Sequence, residues 1–399
     1  MSELEGILLS YERVSRAGRI AALASVVSVR GSTYRRIGAH MLVTDDGEVT
    51  GAISGGCLER DVVRHAIWVM QLGKPKHLVY DSTGDDEDLE DPFALGCNGV
   101  VDVLVERLLP DDPTMAFFAD CVRGRKSGVV ATVFASGSDA AIPTGNRLLW
   151  CPGEQPLTLG VEDADLVRTL AEGARSVLAS GMSSTRTLDT AAGRVAICFE
   201  IVEPPPQLAI FGGGYDAVPL AALAKSVGAR VIVVDDRPGH ATRTRFPTAD
   251  RLMVAQPQAA VEALALEGNS LAVVMNHNYR QDLAALEALL PTPVPYLGVL
   301  GPRRRTERLL ADLAVKGIAA TQPQLARLYS PVGLDLGAET PEEVALAVVA
   351  EMKAVLAGRG GGPSRERAGS LHQHTEPISD PSEAMPTPSH ARSESARQE

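Results

Sequence analysis

A glycine-rich turn is the part of this sequence that most directly suggests chemistry. Gly212 and Gly214 follow an apolar run, and Ala217 opens a helix-like segment. The first glycine permits a tight turn, the second lets backbone approach a pyrophosphate, and the alanine lets the helix pack closely. A second apolar run, 231–234, ends about 20 residues further on at Asp235, where a carboxylate accepts hydrogen bonds from a ribose. The pattern predicts a dinucleotide-binding turn with Asp235 as its ribose ligand.

Two further residues follow strand-like runs in the same half of the chain, His277 and Arg303. Ligands of open α/β sheets bind beyond the carboxyl ends of the strands, so both residues are candidate ligand contacts. An arginine after a glycine at a helix start suits a phosphate. His277 suits a base or a group that orients a ligand, or it is simply a hydrogen-bonded loop histidine. A Tyr-x-x-x-Lys pair for hydride transfer is not seen in the sequence.

The first half contains two cysteines beside glycines. Cys57 follows Ser-Gly-Gly between a strand and a helix, and Cys97 lies in Leu-Gly-Cys-Asn-Gly before another strand. A helix N-terminus favours the thiolate form of a cysteine. Two accessible thiols could bind a soft metal centre or pass sulfur. The alternative, which the residues alone slightly favour, is that both are small buried side chains beside tight turns.

A third loop of the first half is rich in arginine. Arg30 and Arg35 lie within Arg-Gly-Ser-Thr-Tyr-Arg-Arg, directly after a strand-like run. The combination of cationic side chains, hydroxyl groups and glycine suits an anionic ligand. A solvated turn explains the same residues equally well.

The overall composition excludes several classes of protein. The chain has 399 residues, which suggests two or three domains. Its net charge of −12 argues against a nucleic-acid partner, which requires a basic face. No uninterrupted apolar run reaches the ~18 residues of a membrane-spanning helix, and the first residues do not resemble a signal peptide. Five cysteines without paired spacing indicate reduced thiols, so we expect a cytoplasmic protein.

The pattern of apolar runs predicts a mixed α/β domain over residues 1–202. Strands are expected at 20–29, 40–44, 49–53, 78–80, 100–105, 129–135 and 195–202, with helices at 57–72 and 164–178. A proline-rich connector, 203–206, marks the domain boundary.

Beyond the connector, strands and helices alternate regularly through residues 203–357. Strands are expected at 208–211, 231–235, 251–254, 271–276 and 296–300. The alternation predicts a Rossmann-like, doubly wound parallel sheet. A capping box of Thr340 and Glu343 opens a last helix, and the polar tail 358–399 is expected to be disordered.

The residues together resemble those of a known family. Matching segments occur in order along the chain: Arg30-Gly-Ser-Thr-Tyr-Arg-Arg36, Ile53-Ser-Gly-Gly-Cys-Leu-Glu59, Leu95-Gly-Cys97, Phe211-Gly-Gly-Gly214, Asp216-Ala-Val-Pro-Leu220, Val234-Asp-Asp-Arg-Pro238, Arg245-Phe-Pro247, His277-Asn278, Tyr296-Leu-Gly-Val-Leu-Gly-Pro302 and Pro331-Val-Gly-Leu-Asp-Leu-Gly-Ala-Glu-Thr-Pro341. The chain to about Leu356 thus resembles the xanthine dehydrogenase accessory family of the XdhC/CoxI type. Asn98 and Tyr215 depart from the usual family pattern.

The resemblance implies a function as a chaperone rather than an enzyme. Such a protein would bind molybdenum cofactor, protect it during sulfuration by a cysteine desulfurase, and deliver it to a molybdenum hydroxylase such as xanthine dehydrogenase. Cys57 and Cys97 would then contact the molybdenum of the cofactor, and NAD(P) or another nucleotide is a further candidate ligand. A homodimer is plausible for this kind of protein.

Two alternative functions remain open at this point. One is an NAD(P)-dependent oxidoreductase that uses the Rossmann-like domain. The other is a nucleotide-responsive regulatory protein whose first domain only provides a scaffold for partners.

Overall fold

The computed structural model describes residues 2–83, 99–137, 142–190 and 193–366. These residues divide into two compact units. The N-terminal unit comprises residues 6–204, and the C-terminal unit comprises residues 205–366 together with 2–5. Cys97 and most of the predicted tail lie outside the described residues.

The described part of the N-terminal unit contains ten strands and four helices. In chain order they are α1 (Glu3–Arg16), β1 (Ala21–Gly31), β2 (His40–Thr44), β3 (Val49–Gly51), α2 (Glu59–Leu72), β4 (Lys76–Asp81), β5 (Gly99–Leu108), α3 (Pro113–Gly124), β6 (Gly128–Ser136), β7 (Arg147–Trp150), β8 (Leu157–Leu159), α4 (Ala164–Ser180), β9 (Ser184–Thr190) and β10 (Gly193–Val202). Strands matching β1 to β6 and β10 were predicted, as were α2 and α4. The sequence pattern did not predict α1, α3, β7, β8 and β9.

These elements form two antiparallel five-stranded sheets with the same topology. The strand orders are β3-β2-β1-β5-β4 and β8-β7-β6-β10-β9. Each sheet is preceded by a helix, α1 or α3, and each has its other helix, α2 or α4, between its third and fourth strands. The N-terminal unit is therefore an internal structural duplication, with residues 6–108 as the first half and 113–202 as the second half.

The duplication extends to single residues. Val27 in β1 is the extra residue of a β-bulge, and Phe134 is the extra residue at the same place in β6. The amides of Gly38 and Gly145 donate to the carbonyls of Val26 and Val133, which are also equivalent positions. Each sheet packs its own helix into a core, α2 on the first sheet and α4 on the second.

The C-terminal unit consists of parallel strands alternating with helices. In chain order they are β11 (Gln207–Phe211), α5 (Ala217–Ser226), β12 (Arg230–Asp235), β13 (Arg251–Val254), α6 (Pro257–Leu264), β14 (Ser270–Val274), α7 (Tyr279–Leu289), β15 (Tyr296–Val299), α8 (Arg303–Val315), α9 (Gln322–Ala326), β16 (Leu328–Tyr329), α10 (Pro341–Leu356) and a short 3₁₀ helix, Ser364–Glu366.

The six strands of this unit pair in the order β13-β12-β11-β14-β15-β16, all parallel. Alternate residues of β11 enter two separate cores, as the two-residue period of a strand requires. Leu208 and Ile210 pack with α5 and α10, whereas Ala209 and Phe211 pack with α6, α7 and α8. The predicted Rossmann-like, doubly wound sheet is confirmed.

Helix α10 begins as the sequence predicted. The Thr340 hydroxyl accepts from the Glu343 amide at 3.3 Å, and the Glu343 carboxylate accepts from the Thr340 amide at 3.1 Å. This reciprocal capping box is confirmed. Among the described residues, no helix combines the length and apolar character that crossing a bilayer would need.

Candidate functional site

The glycine turn brings the end of β11 against the loop that follows β14. Gly212 has φ = 116°, and a Cβ there would lie 2.8 Å from the Met275 carbonyl. A Cβ on Gly214 would lie 2.9 Å from Nε2 of His277. Both glycines are therefore needed for the close approach of the two loops. Gly214 and His277, two predicted ligand contacts, are direct neighbours.

A cavity of about 580 Å³ opens beside this turn. Its lining comes from α5, the two loops that meet at the turn, the connection between β12 and β13, and the start of α10. The lining residues are Gly214, Tyr215, Val218, Pro219, Arg237, His240, Arg245, His277, Pro341 and Glu342. The cavity lies beyond the carboxyl ends of β11, β12 and β14, which is where doubly wound sheets bind ligands.

Asp235 lies next to this cavity, but its carboxylate is already hydrogen-bonded. Oδ2 accepts from the Gly213 amide and from NH2 of Arg237, both at 2.8 Å. Oδ1 accepts from the amide and from Nε of Arg237, both at 2.9 Å. Burial by itself would raise the pKa of the Asp235 carboxyl, but the hydrogen bonds from Arg237 and Gly213 hold that pKa below its ordinary value. Asp235 therefore fixes both the glycine turn and the Arg237 side chain.

His277 and Arg303 differ in their relation to the cavity. His277 lines it, with a side chain that is 62% exposed and an Nε2 that lies 3.9 Å from Oδ2 of Asp216. Arg303 is the first residue of α8, forms an exposed ion pair with Glu307, and is not a lining residue. The structure thus brings Gly212, Gly214, Asp235 and His277 together and leaves Arg303 outside this group.

Three basic lining residues, Arg237, His240 and Arg245, were not among the predicted site residues. All lie in the connection between β12 and β13. NH1 of Arg245 lies 3.3 Å from Nδ1 of His240, and among the described residues Arg245 forms no ion pair. Arg237 follows the acidic end of β12 by two residues, so the sequence already placed it at the strand edge where open α/β sheets bind ligands.

In the N-terminal unit, Cys57 lies on a turn held together by Ser54. The Ser54 hydroxyl accepts from the amides of Gly56 and Leu58, at 3.1 and 3.2 Å, and from the Cys57 thiol at 3.4 Å. Helix α2 begins two residues after Cys57, at Glu59. Burial by itself would raise the pKa of the Glu59 carboxyl, but hydrogen bonds from Ser54 and the backbone lower it. The exposed thiol of Cys57 therefore lies near an ionised carboxylate.

The arginine-rich loop is a neighbour of the Cys57 turn. A Cβ on Gly55 would lie 3.7 Å from the ring of Tyr34, so the two loops touch there. Arg30 has a side chain that is 48% exposed, with NH2 3.8 Å from the buried carboxylate of Asp102. Arg35 is half-buried, and its carbonyl accepts from the Thr33 hydroxyl. Cys57 and Arg35 thus belong to adjoining loops of one unit, whereas Arg30, which the sequence placed after the strand, lies within β1 near its end.

The remaining cysteines of the described chain differ from Cys57. Cys121, Cys151 and Cys198 are buried, whereas Cys57 is exposed. Cys97, the second predicted thiol ligand, lies outside the described residues. Within the described ranges, no group of three or more His, Cys, Asp or Glu side chains is arranged to hold a metal ion.

Comparison with known proteins identifies the family. Residues 14–81 match the XdhC and CoxI family model, and residues 208–352 match the model of the XdhC Rossmann domain. The chain is 34% identical to a Bacillus subtilis protein named as a probable subunit of xanthine dehydrogenase, over 83% of this chain and 92% of that protein. It is 24% identical to a molybdenum cofactor insertion chaperone, PaoD, of Escherichia coli, over 85% of this chain and 84% of that protein.

A solved structure gives the same answer. A crystal structure from Bacillus halodurans, described as a xanthine dehydrogenase, superimposes with a TM-score of 0.71 at 27% identity. The match covers 90% of this chain and 97% of that one. The chain therefore belongs to the XdhC and CoxI family.

Proposed function

We propose that this protein is an accessory factor in the maturation of a molybdenum hydroxylase such as xanthine dehydrogenase. It binds molybdenum cofactor, protects it while a cysteine desulfurase supplies sulfur, and delivers it to the apo-enzyme. The likeness to a molybdenum cofactor insertion chaperone over most of both chains supports this role. In this proposal the cofactor is cargo, and the protein works as a cytoplasmic chaperone, in monomeric or homodimeric form, without turnover of its own.

The exposed thiol of Cys57 is the observation that carries the proposal. It lies on a glycine turn that leaves it accessible, beside the end of β1 with Arg30 and the loop that follows with Arg35. A thiolate is a soft ligand and suits a soft metal centre or sulfur transfer. Cationic side chains suit the phosphate that molybdopterin carries. Cys97 is proposed as a second thiol for the same purpose.

In the C-terminal unit, we assign a phosphate or nucleotide group to the cavity beside the glycine turn. Gly212, Gly214, Asp235 and His277 support this assignment because they all lie at that turn or in the cavity wall. Arg303 supports it less, because it lies outside the lining.

Retention of molybdenum cofactor by the purified full chain tests the role of Cys57. Wild type is compared with Cys57→Ser and with Cys151→Ser, which makes the same chemical change at a buried thiol. Bound cofactor is measured by molybdenum content and pterin fluorescence, and delivery is measured by activation of apo-xanthine dehydrogenase. We expect retention to fall in Cys57→Ser only. Absence of cofactor binding by wild type would overturn the proposal.

The cavity also favours a second candidate function, an NAD(P)-dependent oxidoreductase or a nucleotide-responsive regulator. Its lining combines a glycine turn, a helix start and basic side chains, which are features of dinucleotide sites. Turnover of NADH or NADPH with candidate substrates would support the oxidoreductase. Tight nucleotide binding without molybdenum cofactor binding would support the regulator.

A further inference from the structure

The hydrogen bonds of Asp235 occupy all acceptor positions of its carboxylate, so none is left for a ribose hydroxyl. An ionised carboxylate offers about four lone-pair sites, and Asp235 accepts four hydrogen bonds, three from Arg237 and one from Gly213. Its side chain is 0% exposed. Ribose hydroxyls approaching from the cavity would have to displace the guanidinium of Arg237, and that would leave a buried carboxylate partly unpaired.

Arg237 presents the opposite chemistry to the cavity. Its guanidinium uses Nε and one NH2 proton on Asp235, and it retains further N–H donors in a fixed plane. The side chain is 40% exposed and lines the cavity together with Arg245. Because Asp235 holds Arg237 in place, little rotamer freedom is lost when an oxyanion binds.

The other charged groups near the cavity do not change this chemistry. Glu342 lies in the lining and is exposed, and Asp216 lies 3.9 Å from His277. Arg245 lies near His240 rather than a carboxylate, so it adds a cation that no carboxylate pairs among the described residues. The carboxylate that ends β12 is thus paired with Arg237, and its neighbour Asp236 accepts from Gln256 and Gln281, where a ribose-reading site would present a free carboxylate.

We infer that Asp235 is a positioning residue and that Arg237, with Arg245, reads a phosphomonoester of the ligand instead of a free ribose. The inference rests on the proposed ligand cavity of the C-terminal unit, and it defines the ligand class of that cavity. Two ligands share this chemistry: a 2′-phosphorylated dinucleotide and the phosphate of molybdopterin.

Calorimetric titration of the full chain with NADP⁺ and NAD⁺ tests this inference, because the two differ only in the 2′-phosphate. We expect wild type to bind NADP⁺ at least about ten-fold more tightly, the usual effect of charge-assisted hydrogen bonds. Arg237→Gln and Arg245→Gln should each reduce that ratio toward one. Arg245→Gln leaves the bonds of Asp235 intact, so it remains informative if Arg237→Gln folds poorly. Arg251→Gln, an exposed arginine of β13 outside the lining, is the matched control.

A second arm separates the two sources of phosphate. Inorganic phosphate is titrated against protein loaded with molybdenum cofactor. If phosphate displaces molybdenum cofactor from wild type but not from Arg245→Gln, and if NADP⁺ and NAD⁺ bind equally, the phosphomonoester is that of the pterin. Tighter binding of NAD⁺, or a preference for NADP⁺ that survives both substitutions, would overturn the inference. The inference would also be overturned if neither dinucleotide bound and inorganic phosphate did not compete with molybdenum cofactor. That result would not affect the proposed role of Cys57 in cofactor retention. Conversely, a lack of cofactor retention by itself would not contradict the inference about Arg237 and Arg245.

Discussion

His40 and Arg147 occupy equivalent positions in the two halves of the N-terminal unit, and each bonds to a glutamate of the other half. His40 opens β2, and its Nε2 lies 2.7 Å from Oε1 of Glu200 on β10. Arg147 opens β7 and forms an ion pair with Glu106 on β5. Both pairs are buried or nearly so. The duplicated fold is therefore held by two reciprocal polar links between its halves.

Removal of one member of such a link should strongly destabilise the unit. We expect Arg147→Met to lower the free energy of unfolding by about 3–5 kcal/mol, because Glu106 then remains as an unpaired buried charge. Both tryptophans, Trp68 and Trp150, lie in this unit, so their fluorescence during urea denaturation reports its stability.

The double variant Arg147→Met, Glu106→Leu is the control for that prediction. It should recover much of the loss, since an apolar pair carries no unpaired charge. A single-variant effect below about 1 kcal/mol, the level of an exposed pair, would contradict the assigned role.

Two glycines make room for the same glutamates. A Cβ on Gly38 would lie 3.2 Å from Glu200, and one on Gly145 would lie 2.9 Å from Glu106. Their φ angles are 85° and 96°. We expect Gly38→Ala and Gly145→Ala each to cost about 2–4 kcal/mol, from backbone strain together with displacement of the carboxylate.

Gly47→Ala separates these two contributions. Gly47 has φ = 84°, but a Cβ added there would meet nothing within 4 Å, so only strain of about 1 kcal/mol is expected. Urea midpoints of the three variants, measured by tryptophan fluorescence, make the comparison. Equal losses in all three would show that the glutamate contacts contribute nothing.

The Asp235–Arg237 pair predicts a pH dependence of stability in the C-terminal unit. The pKa of the Asp235 carboxyl is lowered in the folded protein. The ionised carboxylate therefore contributes fully to the free energy of unfolding above its unfolded pKa of about 4. It is lost as the pH falls below about 4 and through the lower folded pKa. We expect the free energy of unfolding of the C-terminal unit to be about 2 kcal/mol higher in wild type than in Asp235→Asn near pH 7. This difference should shrink below about pH 4.

Hydrogen exchange of the β11 and β12 amides gives the measurement, because the tryptophans lie in the other unit. Asp236→Asn, a change of the adjacent carboxylate, is the matched control. A difference between wild type and Asp235→Asn that stays constant from about pH 7 to below pH 4 would contradict the pairing.

Reactivity toward a maleimide should separate the cysteines. Burial raises the pKa of the thiols of Cys121, Cys151 and Cys198, whereas Cys57 is exposed. We expect Cys57 to be labelled on the order of 100-fold faster in the native protein, since the buried thiols react only after local opening. Mass spectrometry of the labelled peptides identifies each site. Rapid native labelling of Cys121 or Cys198 would contradict the burial described.

The sequence alone determined the features that depend on neighbouring residues. The spacing of apolar residues distinguishes strands from helices, because each has its own period. The regular alternation of strands and helices then predicted the parallel sheet. Glycine spacing predicted the turn between β11 and α5, and Thr340 with Glu343 predicted the start of α10. These patterns are local, so a short window of sequence carries them completely.

Only the tertiary structure decided which side chains meet. It paired Asp235 with Arg237, brought His240 and Arg245 to the cavity, and left Arg303 outside its lining. It also revealed the duplication, which the sequence hides because equivalent positions hold different residues, such as His40 and Arg147. The physical reason is that strand order and loop packing set these neighbours across long stretches of chain, and residue spacing carries no record of them.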